Sequence, residues 1–120
     1  MPKRKWRVRL GAAAELDFAN ILKWTADNFG PRQARVYRDT IVRAIGELAD
    51  GPDVAGSRAR DDILQSLRTL HVARHARRGR HFLMYRVVTD RTIEVARILH
   101  DRMDLSRHLS SAHAAPALSE

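Results

Sequence analysis

Two helical patterns separated by only two residues constrain this sequence most. In both patterns apolar residues recur at steps of three and four, the spacing of one buried helix face. The first pattern covers residues 12–29 and the second ends near residue 48. Between them stand Gly30, since glycine readily closes a helix, and Pro31, since proline suits the first turn of the next. Helices joined by so short a break must fold back on each other, so the sequence predicts a helical hairpin.

Strand patterns flank this hairpin on both sides. Residues 6–10 alternate apolar side chains with arginines, which is typical of a strand with one buried face. Residues 51–62 are polar and rich in glycine, and we interpret them as a loop. Beyond it, strands are predicted over residues 67–73, 81–88 and 93–100. The predicted order is therefore strand, helix, helix, strand, strand, strand.

The middle one of these later strands is expected to be buried on both faces, and the helices can cover only one of them. Residues 81–88 form the most apolar run in the chain, with apolar residues at both parities, as in a strand buried on two sides. Two helices can shield only one face of a four-stranded sheet. The other face is therefore expected to need either the C-terminal segment or another protein.

Length and composition bound the organisation of the chain. Its 120 residues fit a single domain, predicted over residues 1–109, with an Ala/Ser-rich tail at 110–120 expected to be disordered. A hydrophobic fraction of 44% is that of a globular chain. There is no cysteine, which excludes disulfides and thiol chemistry and suits a reducing cytoplasm. Without an apolar signal core or a run of about 20 apolar residues, we expect a cytoplasmic protein with no membrane partner.

The charge balance points to anionic partners. Lys and Arg number 22 against 14 Asp and Glu, a net charge of +8. Nucleic acid, an acidic protein and an anionic membrane surface all fit such a field. Strand parity places Arg86 and Arg97 in otherwise apolar rows, where a cation is costly unless it is paired or meets a ligand. Two interpretations stay open: a binding face, or an internal ion pair with a carboxylate such as Asp101, Asp104 or Glu94.

Motifs for common catalytic and metal sites are absent from the sequence. It contains no GxxxxGK[ST], GxGxxG, GxSxG or HExxH pattern. His71 and His75 are four residues apart, but the strand pattern around His71 favours solvated or hydrogen-bonded histidines over a metal site. The adjacent Asp61 and Asp62 are interpreted as a solvated pair in a helix cap or a loop. The residues therefore predict no cofactor, no metal and no convincing catalytic set.

A phased set of residues resembles the ParE branch of the RelE/ParE toxin superfamily. The set extends over residues 6–108 and comprises Ala14, Asp17, Phe18, Ile21, Trp24, Phe29, Gly30, Ala34, Tyr37, Ile41, Leu48, Pro52, Gly56 and the segments HFLMYRV at 81–87 and RILHDRMD at 97–104. One departure is Gly11, where the family often has a Thr or Ser cap before the first helix. The resemblance implies an α+β fold, β-α-α-β-β-β, with the helical hairpin packed on one face of an antiparallel sheet.

The resemblance also implies a function. It predicts the toxin of a type II toxin–antitoxin system that inhibits DNA gyrase without a chemical step of its own. Its partner would be a ParD-like antitoxin, which joins a ribbon-helix-helix DNA-binding dimer to an acidic, amphipathic arm. Operator DNA would then be reached only through the antitoxin. The residues expected to bind the target or the antitoxin are Arg74, Arg78, Arg80, Arg86, Arg97, His100, Arg102, Phe18, Trp24 and Tyr37.

Two alternatives to gyrase inhibition are kept. One is a RelE-like, ribosome-dependent mRNA endoribonuclease, in which Arg86, Arg97 and His100 would be catalytic and His100 would act as general acid or base. The lack of a lysine-rich surface and the HDRMD segment at 100–104 favour the ParE interpretation over this one. The other alternative is an inactive toxin retained as a co-repressor with its antitoxin.

Overall fold

The computed structural model describes residues 5–103, which form two helices and five strands. The helices are α1 (Ala12–Phe29) and α2 (Pro31–Glu47), and a 3-10 turn (Leu48–Asp50) follows them. The strands are β1 (Arg7–Leu10), β2 (Arg58–Ala59), β3 (Arg68–His71), β4 (His81–Thr89) and β5 (Thr92–His100). The predicted hairpin and the α+β class are confirmed. The predicted tail at 110–120 lies outside the described residues.

The sheet is mixed and has one strand more than predicted. Its order is β1-β5-β4-β3-β2. The β2–β3, β3–β4 and β4–β5 pairs are antiparallel as expected, but β1 runs parallel to β5. Strand β2 lies inside the segment predicted to be a loop, and it pairs with β3 at the sheet edge. Its two side chains are exposed, so no apolar alternation marks it in the sequence.

The main core lies between the helical hairpin and one face of the sheet. Buried residues of α1 and α2, including Ala14, Ile41 and Ala44, pack with strand residues such as Leu83 and Ile93. Each large aliphatic side chain buried here contributes about 1.5–3 kcal/mol to folding. The hairpin is therefore held on the sheet by continuous apolar packing.

The other face of the sheet is covered in part by the chain itself. Leu67, Met84 and Leu99 form a second, smaller buried cluster, against which Ile63 and Leu64 pack. The segment just before β3 thus supplies cover that was expected from the C-terminal segment or a partner. Its turn is held by Asp61, whose Oδ1 accepts a hydrogen bond from the backbone N–H of Ser66 at 2.7 Å, in keeping with the predicted loop role of this carboxylate.

A change of register in β5 alters which residues share a face. Met84 is paired with Arg97, but the next residue, Tyr85, is paired with Val95. Ala96 therefore has no partner opposite it, as at a β-bulge. The bulge divides the apolar row in which strand parity predicted Arg97, since Val95 on one side of it packs in the main core and Leu99 on the other side packs in the smaller cluster. No helix of residues 5–103 has both the length and the apolar character needed to cross a bilayer.

Candidate functional site

A groove of about 1070 Å³ opens between the helical hairpin and the end of the sheet where β4 begins and β5 ends. It brings together six of the ten residues predicted to bind a target or antitoxin: Trp24, Tyr37, Arg78, Arg80, His100 and Arg102. The other lining residues are Asn20, Ile21, Thr25, Phe29, Ala73, Arg77, Gly79 and His81.

Two exposed aromatic rings form the apolar wall of the groove. Trp24 and Phe29 lie on the last turns of α1, with 59% and 64% of their surface exposed. Their rings meet edge to face with centroids 5.7 Å apart. Large aromatic side chains left in water are unusual on a folded domain, and they are typical anchors of protein–protein interfaces. This wall is the feature of the groove that most favours a protein ligand.

The floor of the groove is polar but neutral. The Tyr37 hydroxyl accepts a hydrogen bond from the backbone N–H of Arg80 at 3.0 Å and lies 2.6 Å from Nδ1 of His81. Burial, helped by the nearby His100, lowers the pKa of His81 to about 4. Burial also raises the pKa of Tyr37, so both groups are uncharged near neutral pH.

The carboxylate of Asp101 holds one side of the rim in place. Its Oδ2 lies 3.0 Å from Nε2 of His71, and its Oδ1 accepts a hydrogen bond from Nε of Arg80 at 3.4 Å. His71 is oriented for this contact because its Nδ1 accepts the backbone N–H of Ala73. The hydrogen bond from His71 and the charge of Arg80 lower the pKa of Asp101.

The rest of the rim is cationic. Arg78 and Arg102 are exposed, and neither has a carboxylate partner within residues 5–103. Together with Arg80 they place three guanidinium groups around an opening whose walls are aromatic and whose floor is neutral. Such an arrangement suits a ligand that is apolar on one side and negatively charged on the other.

Arg97 lies outside the groove and is used internally. Its Nε and one terminal nitrogen donate to the two carboxylate oxygens of Asp17 at 2.8 and 3.0 Å. The same carboxylate accepts the backbone N–H of Ile98 at 2.9 Å. Of the two interpretations left open, the internal ion pair is therefore the one found for Arg97. Its partner is on α1, however, and not among the carboxylates named from the sequence, because 80 residues separate the pair along the chain.

The remaining predicted site residues are dispersed. Arg74 donates to Glu47 on α2 at 2.7 Å, and Phe18 packs against the main core. Arg86 is exposed near the β4–β5 turn, where Glu94 is opposite it across the ladder. In contrast, Phe29 and His81 belong to the groove but were not predicted to bind. The position of Phe29, an apolar residue after the last buried turn of α1, could have indicated that it is exposed and able to bind. Nothing in the sequence indicated a role for His81.

The three residues of the predicted ribonuclease set do not meet. Arg86 is paired across the ladder with Glu94, whereas His100 is paired with His81 at the other end of β4. Five residues of strand at about 3.3 Å each put these positions roughly 16 Å apart. Arg97 is bound to Asp17. Among residues 5–103, no three His, Asp or Glu side chains are grouped so as to hold a metal ion.

Comparisons with known proteins match most of the chain. The family described as "ParE toxin of type II toxin-antitoxin system, parDE" matches residues 8–105. Toxin ParE1 of two Mycobacterium tuberculosis strains is 37% identical over 103 residues, which cover 86% of this chain and 97% of the relative. The solved structure "Chromosomal ParDE TA system from P. aeruginosa" shares the fold, with a TM-score of 0.66 at 19% identity, and the match covers 82% of this chain and 98% of that one. The chain therefore belongs to the ParE toxin family of type II toxin–antitoxin systems, as the resemblance in its sequence predicted.

Proposed function

We propose that this toxin binds and inhibits DNA gyrase, and that a ParD-like antitoxin neutralises it by laying an acidic, amphipathic arm in the groove beside α1. The observation that carries the antitoxin half of the proposal is the combination of exposed Trp24 and Phe29 with a cationic rim. Membership of the ParE family supports it, as does the fold shared with the chromosomal ParDE system of P. aeruginosa. The gyrase half rests on the family resemblance.

The two parts of the groove would contribute differently to binding. Covering an aromatic side chain removes up to about 150–250 Å² from water, at about 25 cal/mol per Å², so the two rings supply most of the affinity. Ion pairs at an exposed rim add about 0–1 kcal/mol each, and they act mainly on the rate and specificity of association. An arm with apolar residues towards Trp24 and carboxylates towards Arg78, Arg80 and Arg102 satisfies both requirements.

A supercoiling assay with purified gyrase tests the proposed target. We expect the full-length toxin to reduce supercoiling in proportion to its concentration, and an equimolar amount of the antitoxin to restore it. Unaltered gyrase activity with a folded toxin that stops growth in cells would overturn the proposal. Cleavage of mRNA on translating ribosomes under those conditions would point to the ribonuclease alternative. Normal growth when the chain is expressed without its antitoxin would point to the co-repressor alternative.

A further inference from the structure

Helix α2 carries a row of arginines on its solvent side. Arg32, Arg35 and Arg38 are all exposed, and they follow one another every three residues, so their side chains are neighbours on the helix surface. Within residues 5–103 none of the three has a carboxylate within ion-pair distance. The buried face of α2 consists of other residues, among them Ile41 and Ala44. The fold itself therefore makes no use of these three charges.

The carboxylates of α2 are already engaged by other cations. Asp39 pairs with Arg43 at 3.1 Å and with Arg77 at 3.0 Å, and the hydrogen bond from Arg43 lowers the pKa of Asp39. Glu47 pairs with Arg74 and His75 at 2.7 and 3.0 Å. These contacts also bind the connection between β3 and β4 alongside α2. Arg78 of that connection is exposed, and it has no carboxylate partner among residues 5–103.

Charge is segregated between the two helices. Helix α1 has three carboxylates against Lys23 as its single cation. Helix α2 has four arginines against Asp39 and Glu47, and residues 72–80 add four arginines and no carboxylate. Eight arginines against two carboxylates give α2 and residues 72–80 together six net positive charges. Residues 1–11 carry five more cations and no carboxylate, so the positive charge of the chain is concentrated in these two regions and is not spread evenly.

We propose that Arg32, Arg35, Arg38 and Arg78, here called the α2 arginine surface, bind the phosphate backbone of duplex DNA. Cβ atoms three residues apart on a helix are about 5–6 Å apart, and the three arginines of α2 extend over about 9 Å of helix axis. Flexible guanidinium groups at that spacing reach successive phosphates, which lie about 3.4 Å apart along the axis on one strand. The toxin itself then contacts DNA without an antitoxin to bridge the two, in addition to the proposed action on gyrase.

An acidic protein is a poorer match for this surface. A stable protein interface needs large side chains that become fully buried, and the exposed aromatic residues of this chain are on the groove wall formed by α1. On α2 the exposed apolar residues are two separate valines, Val36 and Val42. Phosphate contacts require only accessible cations and tolerate such isolated apolar atoms. The separation of an aromatic groove from an arginine surface thus assigns a different ligand class to each.

The test measures the salt dependence of DNA binding by matched double variants. The full-length toxin is titrated into a labelled duplex of about 30 base pairs by fluorescence anisotropy, at KCl concentrations between about 50 and 200 mM. Arg35→Gln/Arg38→Gln removes two charges of the α2 arginine surface. Arg7→Gln/Arg58→Gln removes two exposed arginines of the sheet that likewise have no described carboxylate partner. Thermal unfolding confirms that both variants are folded.

We expect the α2 variant to bind DNA more weakly and the magnitude of its slope of log K against log salt to fall by about 2, since each lost phosphate contact removes about 0.9. The control variant should change the slope by less than half of that. Equal effects of the two variants, or an unchanged slope in the α2 variant, would overturn the proposal. So would an α2 variant that loses affinity for poly-glutamate while it binds DNA like the unmodified toxin.

Discussion

Asp17 is the residue that fastens α1 to the last strand. Its carboxylate accepts two hydrogen bonds from Arg97 and one from the backbone of Ile98, in a site where both side chains are mostly buried. Removing one partner of such a pair leaves the other charge without compensation, which is far costlier than losing an exposed ion pair. We expect Asp17→Asn to lower the free energy of unfolding by about 2–3 kcal/mol, measured by urea denaturation.

Asp27→Asn is the matched control for this prediction. Asp27 is also on α1 and is bonded to Lys23 at 2.9 Å, but their side chains are 61% and 76% exposed. Exposed pairs four residues apart on a helix contribute about 0.3–0.5 kcal/mol. If the two variants lost equal stability, the contact of Asp17 with Arg97 would have no special structural role.

His81 should make the fold sensitive to mild acid. In the unfolded chain this histidine takes up a proton below about pH 6.5, whereas its pKa in the fold is lowered to about 4 by burial and by His100. Between these values the unfolded state binds more protons, so stability falls as the pH drops from about 6.5 to about 4. The shift corresponds to about 3 kcal/mol, and partial solvent exposure of the ring reduces this to about 2 kcal/mol.

Urea titrations across that pH range check the role of His81. His81→Gln cannot take up a proton, so its free energy of unfolding should fall less between pH 6.5 and pH 4 than that of the unmodified toxin. If both proteins lost the same stability over this range, the acid sensitivity would have to come from other groups.

At the level of single residues, the sequence predicted some contacts and missed others. The sequence marked Arg97 as a cation that needs a partner, and the structure supplies one in Asp17. Trp24 and Tyr37, which the sequence predicted to bind a partner, line the same groove. The sequence could not name Asp17, because the contact depends on how α1 lies across β5 and on the bulge at Ala96. It placed Arg86 in a buried row, yet β4 emerges into solvent after Tyr85. Met84, two residues before Arg86, is covered by Leu67, Leu99 and the segment before β3, and periodicity cannot detect how far along a strand such cover extends.

At the scale of elements, the connection between β3 and β4 depends on a glycine that packs against α2. A Cβ built on Gly79 would lie 2.5 Å from Cγ2 of Val72 and 3.1 Å from Cε1 of Tyr37. Val72 is buried, and the Tyr37 ring is held by its hydroxyl contacts, so neither can move away easily. Gly79→Ala should therefore destabilise the protein by about 1–3 kcal/mol in thermal or urea unfolding, and widen the groove.

Gly46, near the end of α2, gives the opposite expectation for the same substitution. A Cβ there would meet nothing within 4 Å, and alanine is the better helix former. Gly46→Ala should raise the free energy of unfolding by up to about 1 kcal/mol. If both variants lost stability, steric crowding around Gly79 would not be the reason why Gly79→Ala is destabilising.

The elements themselves were largely predictable, but their pairing was not. Periodicity and the Gly30–Pro31 break located both helices and four of the five strands to within a few residues. The direction of β1 was beyond such reasoning, because its partner β5 comes from the opposite end of the described chain. Strand β2 was not predicted, because its two residues are both exposed and show no apolar alternation. Local spacing thus determines the elements, whereas contacts between distant segments determine how the sheet is assembled.

The whole molecule presents two kinds of surface to its partners. The groove beside α1 joins aromatic walls to a charged rim, while the solvent side of α2 carries charge almost alone. The overall charge of +8 predicted anionic partners without locating them. Its distribution suits two different ligands: the groove suits one that is both apolar and acidic, and the α2 arginine surface suits one that offers only phosphates. Because Arg78 belongs to both surfaces, an antitoxin arm in the groove would weaken, but not abolish, DNA binding by α2.

The groove should bind an acidic antitoxin arm with an affinity that salt reduces but does not abolish. Raising KCl from about 0.1 to about 1 M shortens the screening length from about 10 Å to about 3 Å, which weakens the attraction of the rim arginines. Contacts with Trp24 and Phe29 persist, since burial of apolar surface does not depend on charge. Calorimetry with a peptide of the antitoxin arm should therefore show affinity falling to a plateau.

Two variants of α1 separate these contributions. Trp24→Ala should weaken binding by about 30-fold or more at every salt concentration, the cost of losing an interface anchor worth about 2 kcal/mol. Leu16→Ala removes a side chain that is 62% exposed on the same helix but outside the groove, and should leave the affinity within about threefold. Salt-independent binding would exclude the rim arginines. Equal losses in the two variants would place the arm elsewhere on α1, because only a ligand seated in the groove distinguishes an aromatic from an aliphatic residue when both are similarly exposed in the free toxin.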